Sequence, residues 1–573
     1  LFVCKSGGAF MWKMLEPFRI GNRVCKNRVI MAAHSYGYID SKGLPTDELV
    51  NYLAERAKGG VGLIITGGTT VSDEGTLVEH VTRNVDDNII PWYKKISTEV
   101  HKYETLVLDQ LMHVGGQLDA FPHSLILAPS PIPHECCKSI PLELTQKEII
   151  RIEDSYVEGA VRAQKGDLDG VELKCDQGFL IHQFLSPYFN RRTDEYGGNW
   201  ENRFRFLKNI IQKIRLEVNS DFVLGVRITA DSMERGDLTL TDAINIAIDI
   251  ERTNKIDYIH VNAATNSSYK GYMINHGDSS IGSANFAHLA KEIKANVKLP
   301  IIVASMINHP SEAEHLLQSG IADLVAMTRA NIADPELVLK VKEGRLDDIR
   351  PCILCNQGCV GNHWKGLDVS CIHNPATGRE KELGIGTIKK IKEPKSIAII
   401  GGGVAGMEAA RVAALRGFKV QLFEKEEHLG GQISLASKLP YRQGFLDVAI
   451  YLENQIKKLP IEVYCGVEIT ESDMQLMVED FDYVVAATGS KFYIPPIFND
   501  VDPSSMMTIK DMLDPETSIG ENVIVVDIEW RQNPLGVAEW LVQKGHKVTI
   551  ISSTFYIGEG LDVVTRTSHY SRI

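Results

Sequence analysis

The stretch Ser396-Ile-Ala-Ile-Ile-Gly401-Gly-Gly403-Val-Ala-Gly406 marks the point at which one kind of fold gives way to another. An apolar, β-rich run leads directly into three glycines with the spacing G-x-G-x-x-G, and the helical segment Met407–Arg416 follows. Glycines at this spacing allow a tight turn and let the backbone approach a pyrophosphate at the start of a helix. The stretch therefore predicts the first strand, turn and helix of a Rossmann-like, dinucleotide-binding domain.

Residues farther along the chain extend this prediction. The run Val420–Glu424 predicts the second strand, and Glu424 at its end would accept the ribose hydroxyls. Two later motifs, Gly430-Gly431-Gln432 and Thr488-Gly489, fit a flavoprotein with two dinucleotide-binding units, although a glycine turn without a ligand is the simpler alternative. The residues predicted to bind the dinucleotide are Gly401, Gly403, Gly406, Glu424, Gly431, Gln432, Thr488 and Gly489.

A different sequence pattern precedes this domain. Between about residues 27 and 344, eight β-rich runs alternate with amphipathic helical segments. This α/β alternation predicts a (β/α)₈ TIM barrel, with a doubly wound sheet as the weaker alternative. The predicted strands are Arg28–Ala33, Val61–Thr66, Thr105–His113, Gly170–Lys174, Phe222–Thr229, Tyr258–Asn262, Ile301–Ser305 and Leu324–Met327. Predicted helices include Glu48–Lys58, Glu148–Lys165, Glu201–Val218 and Ser311–Ser319, and Thr145 with Glu148 forms a capping box.

Four cysteines lie between the two predicted folds, in Cys352-Ile-Leu-Cys355-Asn-Gln-Gly-Cys359 and at Cys371. Zinc sites usually contain two matched C-x-x-C pairs, whereas this uneven spacing favours a cubane iron–sulfur cluster. A structural zinc site is the alternative. The following segment, Gly378–Pro394, is rich in Gly, Lys, Glu and Pro and is predicted to be an exposed linker.

Composition excludes several function classes. With 573 residues the chain is expected to form two to four domains, and its net charge of −13 argues against nucleic acid or an anionic membrane as a partner. No apolar run is long enough for a membrane helix, and residues 1–10 lack the order of a signal peptide. The other six of the ten cysteines are scattered, which is typical of a reduced, cytoplasmic protein.

Taken in this order, the segments resemble the iron–sulfur branch of the old yellow enzyme family, which includes 2,4-dienoyl-CoA reductase, trimethylamine dehydrogenase and clostridial enoate reductases. The resemblance begins near Leu15 and continues to the end of the chain. It is carried by the cysteine spacing and by Phe184–Pro187, Asn190–Gly198, Glu201–Arg203 and Ile332–Pro335. The resemblance implies FMN at the top of the barrel, a neighbouring 4Fe–4S cluster, and FAD or ADP in the second domain.

The resemblance also implies the residues of the FMN site. Gln110 matches the glutamine that hydrogen-bonds the flavin pyrimidine, and Arg227 matches the arginine near flavin N1 and O2. Where the family usually has Gly-Arg after the seventh and eighth strands, this chain has Ser305-Met306 and Thr328-Arg329, so only backbone N–H groups and one arginine remain for the phosphate. The predicted FMN-binding residues are Ala32, Ala33, Gly67, Gln110, Arg227, Ser305, Thr328 and Arg329.

The catalytic positions depart most from the family. Two histidines that usually hold a substrate carbonyl are replaced by Lys174 and Gln177, which can still donate hydrogen bonds and are the predicted catalytic residues. The tyrosine that donates a proton in dienoyl-CoA reductase is replaced by Phe179. The candidates for another proton donor, chosen by their position at strand ends, are His34, Tyr36, His260 and Tyr269.

A second strand–helix pattern, Asn522–Glu539, resembles another Rossmann unit but has Asp527–Pro534 in place of its glycine turn. This feature resembles the amine dehydrogenase side of the family. Because only about twenty residues follow Ile551, the chain is expected to be a fragment with an incomplete end. The predicted domains are 1–13 (an extension), 14–344 (the barrel), 345–395 (the cluster segment and linker), 396–498 (the front half of the FAD domain) and 499–573 (an incomplete second dinucleotide-binding-like domain).

Three hypotheses for the function stay open at this point. The favoured one is reduction of an activated C=C bond in a small-molecule substrate, with electrons from NAD(P)H passing through FAD and the cluster to FMN. The second is an amine dehydrogenase or N-demethylase that passes electrons to an electron-transferring flavoprotein. The third is a non-catalytic electron-transfer subunit. The sequence leaves a homo-oligomer open.

Overall fold

The structure is a computed structural model that describes residues 11–76, 81–117, 125–137, 139–304 and 306–573. The chain divides into two compact units. The first comprises Leu1–Gly344 and Asn356–Glu382, and the second comprises Arg345–Cys355 and Leu383–Ile573. The division therefore falls within the cysteine motif. Most of the predicted N-terminal extension, and Ser305, lie outside the described residues.

The first unit contains a closed barrel of eight parallel strands, in which each strand pairs with the next and the last pairs with the first. This confirms the predicted TIM barrel, and the doubly wound alternative is wrong. The strands are β1 (Val29–Met31), β2 (Leu63–Thr70), β3 (Leu106–Met112), β4 (Gly170–Cys175), β5 (Val223–Thr229), β6 (Tyr258–Asn262), β7 (Ile301–Ala304) and β8 (Leu324–Ala326). Each overlaps a predicted run, and β2 continues to Thr70, beyond its predicted end at Thr66.

Helices follow the strands in the order that the periodicity predicts. They are α1 (Asp47–Lys58), α2 (Ile90–His101), α3 (Gln146–Lys165), α4 (Trp200–Glu217), α5 (Leu240–Arg252), α6 (Ala287–Asn296), α7 (Pro310–Gln318) and α8 (Leu337–Lys342). The capping box at Thr145 and Glu148 is confirmed, since each side chain binds the other residue's backbone N–H. Short extra helices, Leu180–Leu185, Tyr269–Asn275 and Thr328–Ala333, lie after β4, β6 and β8, at the C-terminal end of the barrel.

Inside the barrel, apolar and polar layers succeed each other along the strands. Ile30, Leu63 and Leu108 belong to a buried apolar cluster near the strand starts. Because side chains on one face of a strand recur every second residue, the next inward positions lie closer to the C-terminal ends. On β3 that step leads from Leu108 to Gln110, and on β6 from Tyr258 to His260. The polar layer is thus placed where barrel enzymes hold their ligands.

The second unit begins with a four-stranded parallel sheet in the order β11-β10-β9-β12. Its strands are β9 (Ser396–Ile400), β10 (Lys419–Phe423), β11 (Ile461–Tyr464) and β12 (Tyr483–Ala486), with helices α9 (Val404–Leu415), α10 (Leu446–Lys457) and α11 (Glu471–Asp480). Its buried core includes Ile399, Met407, Leu422 and Leu452. A two-stranded parallel sheet follows, built from β13 (Asn522–Asp527) and β14 (Lys547–Ser552) with α12 (Gln532–Gln543) and α13 (Val563–Tyr570).

One sequence expectation is wrong in part. The segment Gly378–Pro394 is not exposed throughout, because Glu380 is buried in an ion pair with the fully buried Arg56. Arg56 also stacks on the ring of Tyr52 at 3.6 Å. Composition could not reveal this, since the two charges that make the pair are 324 residues apart in the chain. Within the described residues, no helix has the length and apolar character needed to cross a membrane.

Candidate active site and cofactor sites

The predicted site residues of the barrel meet through the register of neighbouring strands. Gln110 of β3 lies opposite Glu172 of β4. Lys174 of β4 lies opposite Arg227 of β5, which in turn lies opposite His260 of β6. Parallel pairing therefore brings together polar side chains that are as many as 150 residues apart in the sequence (260 minus 110). All five side chains are buried.

Glu172 is the centre of a buried hydrogen-bond network. One carboxylate oxygen accepts from Nε2 of Gln110 at 2.6 Å. The other accepts from the hydroxyl of Tyr258 at 3.0 Å and contacts Nδ1 of His260 at 2.9 Å. Burial by itself would raise the pKa of Glu172, but His260 and Arg227 hold it below the usual value. The carboxylate is therefore ionised and accepts from all three groups.

Asp176 is the common partner of the two buried cations of the site, Lys174 and Arg227. It contacts Lys174 at 3.0 Å and Arg227 at 2.9 Å, and it accepts a hydrogen bond from Asn262 at 3.0 Å. Although burial opposes ionisation, Lys174 and Arg227 lower the pKa of Asp176 to about 2. Burial lowers the pKa of Lys174 from its usual value, while Asp176 acts in the opposite direction.

Lys174 and Gln177, the predicted catalytic residues, are in direct contact. Nζ of Lys174 donates to Oε1 of Gln177 at 2.6 Å and lies 4.4 Å from the centre of the Phe179 ring. Nε2 of Gln177 donates to Asn275. Gln177 has a φ of 58° and is held by its own backbone N–H, which donates to Thr229 at 2.9 Å. The amide of Gln177 thus orients the ammonium of Lys174 at the C-terminal end of β4.

The residues predicted to surround the flavin pyrimidine have the chemistry that a flavin needs. Arg227 pairs with Asp176 through Nε, which leaves its two terminal nitrogens outside that ion pair. Gly67 has a φ of +95° and its N–H donates to the Tyr36 hydroxyl at 2.7 Å, which fixes the backbone in the second half of β2 at a position that carries no side chain of its own. Ala32 is buried at the end of β1, and Ala33 is half-buried beside it. A cationic donor and small residues around a planar ligand suit FMN.

The phosphate side matches the family less well. The hydroxyl of Thr328 accepts a hydrogen bond from the backbone N–H of Ala32 at 3.0 Å, so it joins β8 to β1. Arg329 donates through Nη1 to the carbonyl of Gly277 at 2.8 Å and to the side chain of Asn356 at 2.7 Å. The predicted Ser305 lies outside the described residues. Arg329 therefore remains the one described arginine predicted for this side.

The candidates for a proton donor differ in their surroundings. His260 is buried, and because Glu172 accepts from Nδ1, its Nε2 carries no proton in the neutral ring. His34 is engaged on both ring nitrogens, with Ala32 and Tyr52, and burial lowers its pKa to about 4. Tyr36 donates to Thr66, and burial raises its pKa. Tyr269 is 38% exposed at the start of its helix.

In the second unit, the three fingerprint glycines have two kinds of surroundings. A Cβ on Gly401 would lie 2.3 Å from the carbonyl oxygen of Ala487, and one on Gly406 would lie 1.8 Å from that of Gly401. A Cβ on Gly403, in contrast, would meet nothing within 4 Å. The first and third glycines are needed for the protein's own packing, whereas the second borders open space into which a pyrophosphate would fit.

The remaining predicted dinucleotide residues surround the same turn. Glu424 accepts from the N–H of Gly402 at 2.6 Å and from that of Glu426 at 2.9 Å. Gly430 pairs with Gly403, and Gly431 has a φ of 59°. Gln432 donates to the backbone of Ser490 at 2.7 Å, which holds the loop against the exposed segment that contains Thr488 and Gly489.

The four cysteines are each half-buried. Cys352 and Cys355 belong to the second unit, whereas Cys359 and Cys371 belong to the first. Within the first unit, the N–H of Ser370 donates to the carbonyl of Gly358 at 2.7 Å, so the backbone next to Cys371 pairs with that next to Cys359. Over the described parts of the chain, no group of three or more His, Cys, Asp and Glu side chains is arranged to hold a metal ion.

Sequence reasoning missed Glu172 and Asp176. Both lie in the segment Gly170–Phe179, from which Lys174 and Gln177 were chosen. The signal that could have found Glu172 is the two-residue period, since it precedes Lys174 by two positions on a predicted inward face. A carboxylate in a strand that is otherwise buried also needs a partner, which points to a functional network.

Comparisons with known proteins agree with this architecture. The model of the NADH:flavin oxidoreductase / NADH oxidase family matches residues 13–348, and that of pyridine nucleotide-disulphide oxidoreductases matches residues 395–526. The N,N-dimethylglycine/sarcosine dehydrogenase of Chromohalobacter salexigens is 34% identical, over 97% of this chain and 81% of that protein. The NADH oxidase of Thermoanaerobacter brockii is 35% identical, over 96% of this chain and 84% of that protein. The solved structure of a 2-naphthoyl-CoA reductase complex has a TM-score of 0.90 at 29% identity, over 98% of this chain and 86% of that one.

A closed barrel with this polar layer, followed by a dinucleotide-binding unit, defines a flavin-dependent oxidoreductase. The chain belongs to the NADH:flavin oxidoreductase / NADH oxidase family, in the iron–sulfur flavoprotein branch of old yellow enzymes. Both reductases and dehydrogenases are among its relatives. The family therefore establishes the enzyme class but not the substrate.

Proposed function

We propose that this enzyme reduces an activated C=C bond whose neighbouring carbon carries a carboxylate, carbonyl or thioester. FMN in the barrel would supply hydride transfer at N5. The observation that carries the proposal is Lys174, a buried ammonium at the C-terminal end of β4, held by Asp176 and Gln177. Two of its three protons are used in those contacts, which leaves one for an acyl oxygen of the substrate.

The charge of Lys174 also limits the alternatives. A buried ammonium repels a protonated amine, so a simple alkylamine is a poor substrate for this pocket. An N-methyl amino acid is different, because its carboxylate would bind Lys174 while its N-methyl group is oxidised. This is the second candidate, and the resemblance to a dimethylglycine/sarcosine dehydrogenase favours it over other amines.

A second observation concerns the route of the electrons. The turn between β13 and α12 lacks glycines. Its buried Asp527 accepts hydrogen bonds from the backbone N–H of Trp530 at 2.7 Å and from that of Gly558 at 3.0 Å. A buried carboxylate at this point repels the pyrophosphate of a nicotinamide nucleotide. The turn therefore supports the N-methyl amino acid candidate, whose electrons would leave to an electron-transferring flavoprotein. Under the reductase proposal, NAD(P)H would have to bind elsewhere in the protein.

For either direction we propose FAD or ADP at Gly401–Gly406 and a 4Fe–4S cluster on Cys352, Cys355, Cys359 and Cys371. The open space at Gly403 supports the dinucleotide. The cysteine spacing and the backbone pairing of Gly358 with Ser370 support the cluster. Chemical analysis for iron, acid-labile sulfide, FMN and FAD tests these assignments. Zinc in place of iron would contradict the cluster.

The test of the function is the flavin absorbance of the anaerobic holoenzyme. After reduction by dithionite, cinnamate-type acids and enoyl-CoA esters are expected to reoxidise the flavin, whereas sarcosine and trimethylamine should not reduce the oxidised enzyme. Reduction by sarcosine or dimethylglycine, without reoxidation by any enoate, would replace the proposal with the second candidate. Reduction by trimethylamine would contradict the role of Lys174 in both.

Two variants separate a substrate contact from a general effect of losing a buried lysine. Lys174→Met should raise KM or abolish turnover while FMN remains bound. Lys340→Met is the matched control, because Lys340 is also buried and paired with a carboxylate, Asp334 at 2.7 Å, but lies on α8. Equal losses in both variants would show that Lys174 serves stability alone.

A further inference from the structure

The hydrogen-bond network around Glu172 bears on how Gln110 would contact the flavin. Gln110 is the residue expected to meet the flavin pyrimidine, and a carboxamide can present either its oxygen or its NH₂ group to a ligand. The direction in which the amide points decides whether it accepts from N3–H or opposes it. Gln110 is 1% exposed, so its amide is held by buried neighbours.

Only one direction is compatible with Glu172. The Oε1 atom of Glu172 lies 2.6 Å from the nitrogen of the Gln110 amide, and an ionised carboxylate accepts hydrogen bonds but never donates them. Turning the amide over would place two acceptor oxygens against each other in a buried site, which costs the bond and leaves both atoms unsatisfied. Charge-assisted bonds of this kind are roughly twice as strong as neutral ones. The carboxylate is itself held by Tyr258 and His260.

The oxygen of Gln110 consequently faces Gly68, in the second half of β2. A Cβ on Gly68 would lie 3.4 Å from this Oε1 and closer still to the thioether of Met112, so the oxygen borders the backbone of Gly68 beside the Met112 side chain. The pyrimidine edge of a flavin presents the pattern acceptor, donor, acceptor at O2, N3–H and O4. An amide oxygen next to an amide N–H complements N3–H together with one of the two carbonyls.

We propose that Glu172 is a positioning residue of the flavin site, which fixes the Gln110 amide so that its oxygen accepts from flavin N3–H. Glu172 acts through Gln110 and does not itself touch the cofactor. The inference rests on FMN as the barrel cofactor, which is part of the proposed function, but it is independent of the substrate and of the direction of electron flow.

The test compares the binding of FMN and of N3-methyl-FMN to the flavin-free protein, measured by flavin fluorescence. Wild-type protein is expected to bind N3-methyl-FMN at least about tenfold more weakly than FMN, because the methyl group removes the donor and meets Oε1. In Glu172→Gln the amide of Gln110 loses its fixed direction. FMN should then bind about tenfold more weakly, and the preference for FMN over its N3-methyl analogue should shrink. General loosening of the barrel would weaken the binding of both flavins equally and leave the ratio of their affinities unchanged.

A double-mutant cycle shows whether Glu172 acts through Gln110. Gln110→Leu should abolish the preference for FMN, and adding Glu172→Gln to it should weaken FMN binding no further. Tyr258→Phe is the matched control, since it removes another bond to the same carboxylate and leaves that of Gln110 intact. It should weaken FMN binding less than Glu172→Gln does, because the Gln110 amide keeps its acceptor.

Several outcomes would overturn the inference. They are unchanged FMN affinity in folded Glu172→Gln, losses that multiply in the double variant, or wild-type protein that binds both flavins equally. The last comparison needs no Glu172 variant, so it stands even if Glu172→Gln does not fold. Wild-type protein that binds neither flavin would instead contradict FMN as the cofactor, and with it the proposed function.

Discussion

Two turns in the second unit have the same topology and opposite chemistry. The turn between β9 and α9 is built from glycines, and at Gly403 it leaves open space. The turn between β13 and α12 is built around the buried carboxylate of Asp527, and Pro534 removes one N–H from the start of its helix. A strand–turn–helix unit can therefore form without a glycine-lined anion site, provided that another group satisfies the N–H donors around the turn.

The largest expected effect is at the third fingerprint glycine. In Gly406→Ala the new Cβ would lie 1.8 Å from the backbone oxygen of Gly401, and backbone cannot move aside cheaply. We expect a loss of about 3 kcal/mol in local stability. Hydrogen–deuterium exchange of the amides of α9 in the full chain measures it. Unchanged protection would contradict the packing role of this glycine.

The second turn should depend on its carboxylate in the same way. Asp527→Ala leaves the N–H groups of Trp530 and Gly558 without their acceptor, which we expect to cost about 2 kcal/mol of local stability. Amide exchange over β13 and α12 measures the loss, and Asp527→Asn, which keeps one acceptor oxygen, should lose less. Amide protection in Asp527→Ala equal to that of the wild type would contradict the role of this carboxylate in the turn.

A smaller effect, on binding alone, is expected at the middle glycine. A Cβ at Gly403 meets no protein atom within 4 Å, and its φ of −72° suits alanine, so Gly403→Ala should fold as stably as wild type. It should nevertheless bind ADP or FAD about tenfold more weakly, since the methyl group occupies the space of the pyrophosphate. Equilibrium titration with ADP provides the measurement. Undiminished affinity would mean that this space is not the nucleotide site.

The smallest effect is expected for a helical glycine of the second turn. A Cβ on Gly536 would lie 2.9 Å from a terminal nitrogen of Arg442, which is the end of a flexible side chain. The helix preference of alanine offsets the displacement of that arginine, so Gly536→Ala should change local stability by less than about 0.5 kcal/mol. Exchange of the α12 amides tests this. A loss as large as that of Gly406→Ala would show that the Arg442 contacts with Gln532 and Asn533 are essential to the turn.

The predictions from sequence were best where the cause is local. All eight barrel strands and the capping box of α3 were predicted. Hydrophobic periodicity, β-branched residues and helix caps each depend on residues that are close together in the sequence. The glycine turn was predicted for the same reason. Of the residues predicted for the site, Gln110, Lys174 and Arg227 lie on neighbouring barrel strands, but the carboxylates that contact them were not predicted.

By itself, the sequence determined the order of strands and helices, the glycine turn at Gly401–Gly406 and the absence of glycines between Asp527 and Pro534. These properties depend on backbone conformations that neighbouring residues dictate. Only the tertiary structure decided which charges pair, as Arg56 does with Glu380 and Asp176 with Lys174 and Arg227. The direction of the Gln110 amide was decided in the same way, because barrel closure and strand register choose its partner across 62 residues.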